Sequence, residues 1–317
     1  MKNNQHFLGV EIGGTKIQLF VGDEGLNIVA KSVFGVGDKK EAAQVLSRIE
    51  EETSKLMQDH TILATGMGFG GPVDFRTGKV HQSFQVSGWT GMPLADWMTE
   101  ITGTPVFVDN DANLAALAEA NLGAGQGFSR LFYTTLGSGV GGGFVIDREL
   151  YHGQAPGEVE FGHLRLDKTG RTVESSCSGW ALNRKLKDYI GGNPGAPLAG
   201  LVKKHREDPT KLLIKAIGYG DDGAKAILED TTNDLAFGLS HVVHLFNPDI
   251  LVLGGGLSLL GESLLIPLAE RLPHYLMAPM KKQMPSVACA RLGQDVVPLG
   301  ALLLAGNQIK KTQTFEG

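Results

Sequence analysis

The sequence has few cysteines and no excess of positive charge. Its two cysteines, Cys177 and Cys289, provide neither a disulfide framework nor a paired-cysteine metal site, so we expect a protein of a reducing compartment. The formal net charge of −5 offers no basic surface for nucleic acid or anionic membranes. These absences argue against a secreted disulfide-rich domain and against a nucleic-acid-binding protein, and they favour a cytoplasmic one.

Long apolar runs are also absent. The longest apolar stretch, residues 249–268, begins at an Asn-Pro-Asp turn and contains Gly254, Gly255, Gly256 and Glu262, so it predicts a strand, a turn and a helix rather than a membrane span. Residues 1–7 are mostly polar, and we expect no signal peptide. A length of 317 residues predicts two domains, at roughly 150 residues per domain.

The common nucleotide-binding motifs are missing or misplaced. No Gly-Lys-Ser/Thr phosphate loop occurs. Glycines at 137, 139 and 142 match the dinucleotide fingerprint, but that motif must open a helix, and the residues after it read as a strand. Gly254 to Gly256 do lie between a strand and a helix, yet no acidic residue stands about 20 positions later to hold a ribose.

Two separate stretches of the chain resemble each other. Residues 8–21 read LGVEIGGTKIQLFV and residues 131–147 read LFYTTLGSGVGGGFVID, each a strand, a small Gly/Thr/Ser turn and a second strand. Glycine in such a turn lets the backbone approach a ligand and present its N–H groups. Ordinary hairpins are the alternative. As a pair, the stretches predict a duplicated α/β protein that holds one phosphate chain from two sides.

Asp111 is the acid–base candidate. It follows the predicted strand 104–108 and precedes a helical pattern that begins near Leu114. A helix N-terminus stabilises an anion, so Asp111 should stay ionised and accept a hydroxyl proton. The alternative is a simple helix cap, although Asp109 or Asn113 could cap instead. Asn110 offers both a donor and an acceptor to a polyol.

These residues give the chain its resemblance to the ROK family, which comprises bacterial sugar kinases, sugar-responsive repressors and uncharacterised relatives. The similarity covers about residues 8–306 and rests on GVEIGGTK, GFGGPVD, DNDAN, TLGSGVGGGFV, EFGH, the CSG before Trp180, LVLGGG and PLGALLLA. It implies a duplicated, two-lobed actin-like ATPase (ribonuclease H-like) α/β fold with a central cleft. We expect one lobe at residues 1–118 plus 300–317 and the other at 119–299.

The resemblance also implies roles for individual residues. Asp111 matches the catalytic base. The matching sugar ligands are Gly71, Asn110, Asp111, Glu160, His163 and Glu174. The matching ATP-binding residues are Gly13, Gly14, Thr15 and Lys16 in the first phosphate loop, Gly137, Ser138 and Gly139 in the second, and Gly254, Gly255 and Gly256 by the adenosine. The cofactors implied are ATP and Mg²⁺.

The chain departs from the family pattern at two places. Most relatives bind a structural zinc through the His of E-x-G-H and three cysteines, but residues 164–174 contain no cysteine, so we expect no zinc. The family usually has Asp where this chain has Glu11, a carboxylate that approaches Mg²⁺, often through water. The Glu side chain is one methylene longer than Asp, so Glu11 either still approaches Mg²⁺ or points elsewhere.

The resemblance favours an ATP-dependent hexose kinase with glucose as the expected sugar, because residues 81–93 with Gly88-Trp89 resemble the glucokinase segment. Kinases for N-acetylglucosamine, N-acetylmannosamine or fructose are the alternatives, as is a non-catalytic sugar-binding regulator. The family's repressors carry a winged-helix domain before the first phosphate loop, and we expect none here, since that loop begins at Glu11. A homodimer is expected by resemblance alone.

Overall fold

The computed structural model of the protein describes residues 5–37, 41–83, 87–155 and 159–315. The chain divides into two compact units: unit 1 is Met1–Gln126, Gly143–Glu158 and Leu292–Gly317, and unit 2 is Gly127–Gly142 and Val159–Arg291. The expected lobes, 1–118 with 300–317 and 119–299, differ from these units because residues 119–126, 143–158 and 292–299 belong to unit 1. Within the described ranges, every helix is too short or too polar to cross a lipid bilayer.

The regular elements alternate between strands and helices. The strands are β1 (Gln5–Ile12), β2 (Lys16–Asp23), β3 (Ile28–Gly35), β4 (Thr61–Phe69), β5 (Val73–Asp74), β6 (Lys79–Val80), β7 (Val106–Asn110), β8 (Arg130–Leu136), β9 (Val140–Ile146), β10 (Glu149–Leu150), β11 (Ile250–Gly254) and β12 (Ser286–Cys289). The α-helices are α1 (Ala42–Asp59), α2 (Leu94–Thr102), α3 (Asp111–Leu122), α4 (Val173–Cys177), α5 (Gly179–Gly192), α6 (Pro197–His205), α7 (Pro209–Gly218), α8 (Asp222–Phe246), α9 (Glu262–Arg271) and α10 (Val296–Phe315).

The sheet of unit 1 has the strand order β3-β2-β1-β4-β7. β1, β2 and β3 form an antiparallel meander, whereas β4 is parallel to both β1 and β7. The carboxyl ends of parallel strands meet at one edge of a sheet, where ligands of open α/β sheets bind. The turns that follow β1, β4 and β7 therefore lie together at this edge, and Gly70 N–H donates to the Ile12 carbonyl at 3.0 Å.

Both faces of this sheet are covered by helices. Leu8 and Val10 pack with Ile49 of α1 on one face, and Phe7 packs with Leu302 of α10 on the other. Successive strand residues point to opposite faces, so a strand buried on both sides is an almost continuous apolar run. This is why the middle of β1, residues 7–10, reads FLGV without a polar residue.

Helix α10 crosses the sheet at a pair of glycines. Gly9 of β1 and Gly66 of β4 are partners in the parallel ladder. A Cβ atom at Gly9 would lie 2.6 Å from the Pro298 carbonyl oxygen, and one at Gly66 would collide with the Ala301 carbonyl. The glycines thus let the helix backbone approach the strands more closely than any side chain allows.

The second sheet repeats the order of the first. It runs β10-β9-β8-β11-β12, with β11 parallel to β8 and β12 and with β10 antiparallel to β9. In both sheets the order is third, second, first, fourth and fifth strand, which confirms the predicted duplicated α/β fold. The chain passes from unit 2 to unit 1 within β9, after Gly142.

Some elements differ from those expected from sequence. The predicted strand 104–108 is shifted to Val106–Asn110. The Gly, Pro and Ser content of residues 151–179 predicts a loop, but this stretch contains α4, which begins with a capping box between Thr172 and Ser175. Helix α6 and the short strand β12 were not predicted from the sequence pattern.

Replacing Gly66 with Ala should lower the free energy of unfolding by about 1–3 kcal/mol, because the new methyl group meets backbone rather than a flexible side chain. Gly306→Ala is the matched control in α10, since its Cβ would meet only the Phe7 ring at 3.5–3.9 Å, an ordinary contact. Urea titration of both variants measures the difference. Equal stability of G66A and wild type would show that α10 does not seat on this ladder.

Candidate functional site

The junction of β7 and α3 is built around the side chain of Asn110. Asn110 is the N-cap of α3, and its Oδ1 accepts hydrogen bonds from Ala112 N–H at 2.9 Å and Asn113 N–H at 3.4 Å. Its Nδ2 donates to the Gly71 carbonyl at 3.1 Å. The capping role that the sequence left open to Asp109 or Asn113 therefore belongs to Asn110. The cap also ties α3 to the glycine turn after β4, so two predicted sugar ligands meet here.

Asp111 is the first residue of α3 and is half-buried. Its Oδ1 accepts from Ala112 N–H at 2.8 Å. Its Oδ2 lies 3.3 Å from the position that a Cβ would take on Gly70, and that same position is 3.8 Å from the Gly13 Cα. The carboxylate therefore faces Gly70 and Gly13 at the edge of the sheet where the parallel strands end. The N-terminus of α3 stabilises its negative charge.

The predicted first phosphate loop connects β1 to β2. Residues 13–16 form a tight turn in which Gly13 N–H donates to the Lys16 carbonyl at 3.1 Å. Because the last ladder pair is Ile12 with Ile17, the next pair places Glu11 opposite Gln18. Side chains that face each other across an antiparallel ladder are in contact. The Glu11 carboxylate and the Gln18 amide thus lie next to each other close to the base of the loop.

Gln18 holds one oxygen of the Glu11 carboxylate. Gln18 Nε2 donates to Glu11 Oε2 at 2.5 Å and to the Gln294 carbonyl at 2.7 Å, and Gln18 is buried. The other oxygen, Oε1, lies 3.7 Å from the Cβ position of Gly13, on the side of the phosphate loop. No feature of the sequence pattern singled out Gln18, although the hairpin register contains the signal.

The environment of Glu11 suits a cation. Burial raises the pKa of the Glu11 carboxyl, and the charge of Asp295 adds to the rise, whereas the Gln18 hydrogen bond and the charge of Lys16 lower it. A nearby cation favours the ionised form of such a carboxyl. Carboxylate oxygen is a ligand that Mg²⁺ prefers, and water completes its shell. The chemistry of the donor therefore fits Mg²⁺ at Oε1.

The predicted second phosphate loop, in unit 2, also lies beside a carboxylate. Gly137 N–H donates to the Gly139 carbonyl at 3.0 Å, and Gly179 N–H donates to the Gly137 carbonyl at 2.7 Å. Glu174 Oε2 accepts from Val140 N–H at 2.9 Å, and a Cβ on Gly139 would lie 2.5 Å from that oxygen. The structure thus brings Glu174, predicted as a sugar ligand, together with the phosphate loop.

The third glycine turn lies beside the second within unit 2. Gly255 has a φ of 76°, and a Cβ there would lie 2.6 Å from the Leu136 backbone at the end of β8. Only glycine combines that dihedral with that approach. Ser138, Gly255 and Gly256 are exposed, so both turns are accessible to a ligand.

The predicted sugar loop surrounds a short 3₁₀ helix, Phe161–His163. Phe161 is buried, and Glu160 and His163 on either side of it are exposed. Trp89 of the segment 81–93 is 1% exposed and packs edge-to-face on Phe69 at 5.4 Å, so it is a core residue of unit 1. Residues 84–86 of that segment lie outside the described residues.

Asp167 organises the segment 164–174, which stands where most relatives have a cysteine-containing loop. Asp167 Oδ1 accepts from the backbone N–H groups of Thr169, Gly170 and Arg171 and from the Thr169 hydroxyl. The Thr169 hydroxyl bond is the largest of the contacts that lower the pKa of Asp167. Arg171 also forms an ion pair with Asp234 of α8. Backbone hydrogen bonds therefore close this turn.

Cys177 does not offer a thiolate to a metal. It is fully buried, its Sγ donates to the Thr231 carbonyl at 3.6 Å, and burial raises the pKa of its thiol to about 12. Metal binding requires the deprotonated thiol. In the part of the chain that the structure describes, no three His, Cys, Asp or Glu side chains form a group that could hold a metal ion.

Comparison with known proteins gives a consistent picture. The profile of the ROK family matches residues 7–308. A glucokinase of Halalkalibacterium halodurans is 28% identical over 96% of this chain and 96% of its own length, and an N-acetyl-D-glucosamine kinase of Shigella flexneri is 30% identical over 94% and 98%. The structure of a ROK family glucokinase from Streptomyces griseus in complex with glucose and AMPPNP is 31% identical, covers 95% of this chain and 99% of that chain, and has a TM-score of 0.80.

Elemental analysis of protein purified without chelator should give well under one zinc per chain, because the one cysteine near the sugar loop is a buried thiol. Treatment with a chelator, followed by gel filtration and addition of Mg²⁺, should leave any sugar-dependent activity unchanged. Stoichiometric zinc that is lost in His163→Ala but kept in the exposed control His205→Ala would show that the loop does bind the metal.

Proposed function

Because this chain belongs to the ROK family, we propose that it is an ATP-dependent hexose kinase that transfers the γ-phosphoryl group of ATP to a sugar hydroxyl, with Asp111 as the base. The observation that carries the proposal is the junction of β7 and α3, where the Asp111 carboxylate faces Gly70 beside the cap residue Asn110. The nucleotide-bound and sugar-bound glucokinase of Streptomyces griseus, which this chain matches over 95% of its length, supports it.

The chain's own residues supply alignment and proton transfer. As the sugar oxygen bonds to the γ-phosphorus, the bond from that phosphorus to the bridging oxygen of ADP breaks, and the hydroxyl proton passes to Asp111. Asn110 spends one Nδ2 hydrogen on Gly71 and both lone-pair directions of Oδ1 on the helix cap, so its second N–H is what it offers to a sugar oxygen. Phosphoryl transfer needs little beyond such positioning and charge stabilisation.

We assign the phosphates to the loops of residues 13–16 and 137–139, through N–H groups other than those of Gly13 and Gly137, which bond within their turns, and the adenosine to Gly254, Gly255 and Gly256. Mg²⁺ bound near Glu11 Oε1, directly or through water, would neutralise charge on the phosphates. Lys16 is the neighbouring cation, with Nζ 3.5 Å from the Gln294 carbonyl. The Gln18 bond fixes one oxygen of the longer Glu side chain and leaves the other facing the loop, so Glu serves here in place of Asp.

We propose glucose as the sugar, bound by Asn110 and Gly71 together with Glu160, His163 and Glu174. The glucokinase relative from Halalkalibacterium halodurans supports glucose, and the N-acetyl-D-glucosamine kinase relative defines the main alternative. We further propose that the protein works in the cytoplasm as a homodimer.

Purified protein should release ADP in a coupled assay when given Mg²⁺, ATP and glucose, with a lower kcat/KM for N-acetylglucosamine, N-acetylmannosamine, mannose and fructose. Asp111→Asn should reduce kcat by ~10² or more, since it removes the general base and keeps the shape of the side chain. Sugar affinity measured by calorimetry should change far less. If no hexose stimulates ADP release, the kinase proposal is wrong.

Glu11→Gln should weaken metal binding to the nucleotide complex by about 10–100-fold, the range seen when a carboxylate that supports a metal is lost. Free Mn²⁺, used in place of Mg²⁺, can be counted by electron paramagnetic resonance in the presence of ATP. Glu24→Gln, an exposed carboxylate on the same unit, is the control. Equal Mn²⁺ affinity in E11Q and wild type would show that Glu11 does not serve the metal.

A further inference from the structure

A buried carboxylate lies directly behind the catalytic turn of unit 1. Asp109, the residue before Asn110, is 2% exposed. Its Oδ1 accepts from Asn110 N–H at 2.7 Å and from Asn113 Nδ2 at 2.8 Å. A buried carboxylate is costly unless its oxygens are hydrogen-bonded. The two bonds at Oδ1 hold the backbone just before the helix and a side chain of its first turn.

The other oxygen of Asp109 meets a histidine from a distant part of the chain. His152 Nε2 lies 2.7 Å from Asp109 Oδ2. A carboxylate oxygen only accepts, so His152 presents N–H at Nε2 in this contact. His152 follows β10, in the segment of unit 1 that includes residues 143–158. Its side chain is 21% exposed, so it lies near the surface while the carboxylate it contacts does not.

The ring of His152 is held in place by stacking. Its centroid lies 3.9 Å from that of Phe75 with an interplanar angle of 17°. Phe75 follows β5, a few residues after the Gly70-Gly71 turn. The imidazole therefore has its plane set by Phe75 and its Nε2 set by Asp109. Through these contacts one side chain links the segment after the glycine turn to the segment that carries Asn110 and Asp111.

We propose that His152 is a positioning residue for the Asn110–Asp111 turn, acting through the Asp109 carboxylate. The role in catalysis rests on the proposed sugar-kinase function, whereas the contacts that hold the turn do not depend on it. Loss of the His152 donor leaves Asp109 Oδ2 buried and charged without that partner. The carboxylate then draws in water or rotates, and the Asn110 N–H and Asn113 side chain lose their fixed acceptor. Asn110 and Asp111 shift as a consequence.

Two substitutions separate the hydrogen bond from the stack. His152→Phe keeps a flat ring against Phe75 and removes the donor, whereas His152→Gln keeps an N–H of similar reach and removes the ring. Asn121→Ala is the matched control, because Asn121 Nδ2 donates to the Arg148 carbonyl at 3.3 Å and so ties the far end of α3 to the same 143–158 segment.

Three measurements apply to each variant: hydrogen–deuterium exchange of a peptide covering residues 106–114, the Kd for glucose by calorimetry without nucleotide, and kcat and KM in the ADP-release assay. H152F should exchange faster in this peptide and lose about tenfold or more in kcat/KM, the loss expected when a buried charged group loses a hydrogen-bond partner. H152Q should stay closer to wild type than H152F in all three, and N121A should match wild type.

Unchanged exchange at 106–114 and unchanged kcat/KM in a folded H152F protein would overturn the inference. Equal losses in H152F and H152Q would also overturn it, because a retained N–H donor would then give no protection and the effect could not be assigned to the hydrogen bond with Asp109. Faster exchange confined to H152F, in a protein whose wild type phosphorylates no hexose, would support the positioning contact while rejecting the proposed function.

Discussion

The candidate catalytic centre depends on a side chain that does two tasks at once. Asn110 caps α3 with its oxygen and holds the turn after β4 with its nitrogen. Serine, threonine or aspartate could cap the helix, but none of them has an N–H to donate to the Gly71 carbonyl as well. The position of Asp111 follows from this, since it is fixed relative to both turns by the residue before it. The adjacent pair Asn110-Asp111 thus reflects the geometry of the backbone at the junction of β7 and α3.

The sequence predicted the regular part of this arrangement well. In the sequence, the run 61–69 ends at a Gly-Gly-Pro turn and predicts a strand with the bounds of β4, and the helical pattern after Asp109 predicts the start of α3. The Glu11–Gln18 pair could be predicted from the sequence, because a four-residue turn sets the register of the hairpin. The contact between His152 and Asp109 could not be predicted, because residues 43 positions apart meet only through tertiary packing. Local pattern carries no information on such contacts.

The two predicted phosphate loops occupy the same place in the two sheets but differ in the side-chain contacts beside them. Each loop joins two strands of a five-stranded sheet of the same order, and each has a carboxylate next to its glycines. In unit 1 the carboxylate is anchored by an amide, and one oxygen is left facing the loop. In unit 2 the Glu174 carboxylate instead caps the first N–H of β9. The carboxylate beside the loop thus has one oxygen facing the loop in unit 1, whereas in unit 2 it binds the backbone at the start of β9.

The packing of α10 on the first sheet has a consequence for synthesis on the ribosome. Translation delivers the strands of that sheet early and the helix that covers Phe7 and Ala64 only after residue 296. All of unit 2 is made in between. The nascent chain therefore carries an uncovered apolar sheet face during most of its elongation, and the half that holds Asp111 is completed last. A chain truncated within this helix lacks the residues that cover Phe7 and Ala64, so the loss of C-terminal residues exposes a surface formed by the first hundred residues.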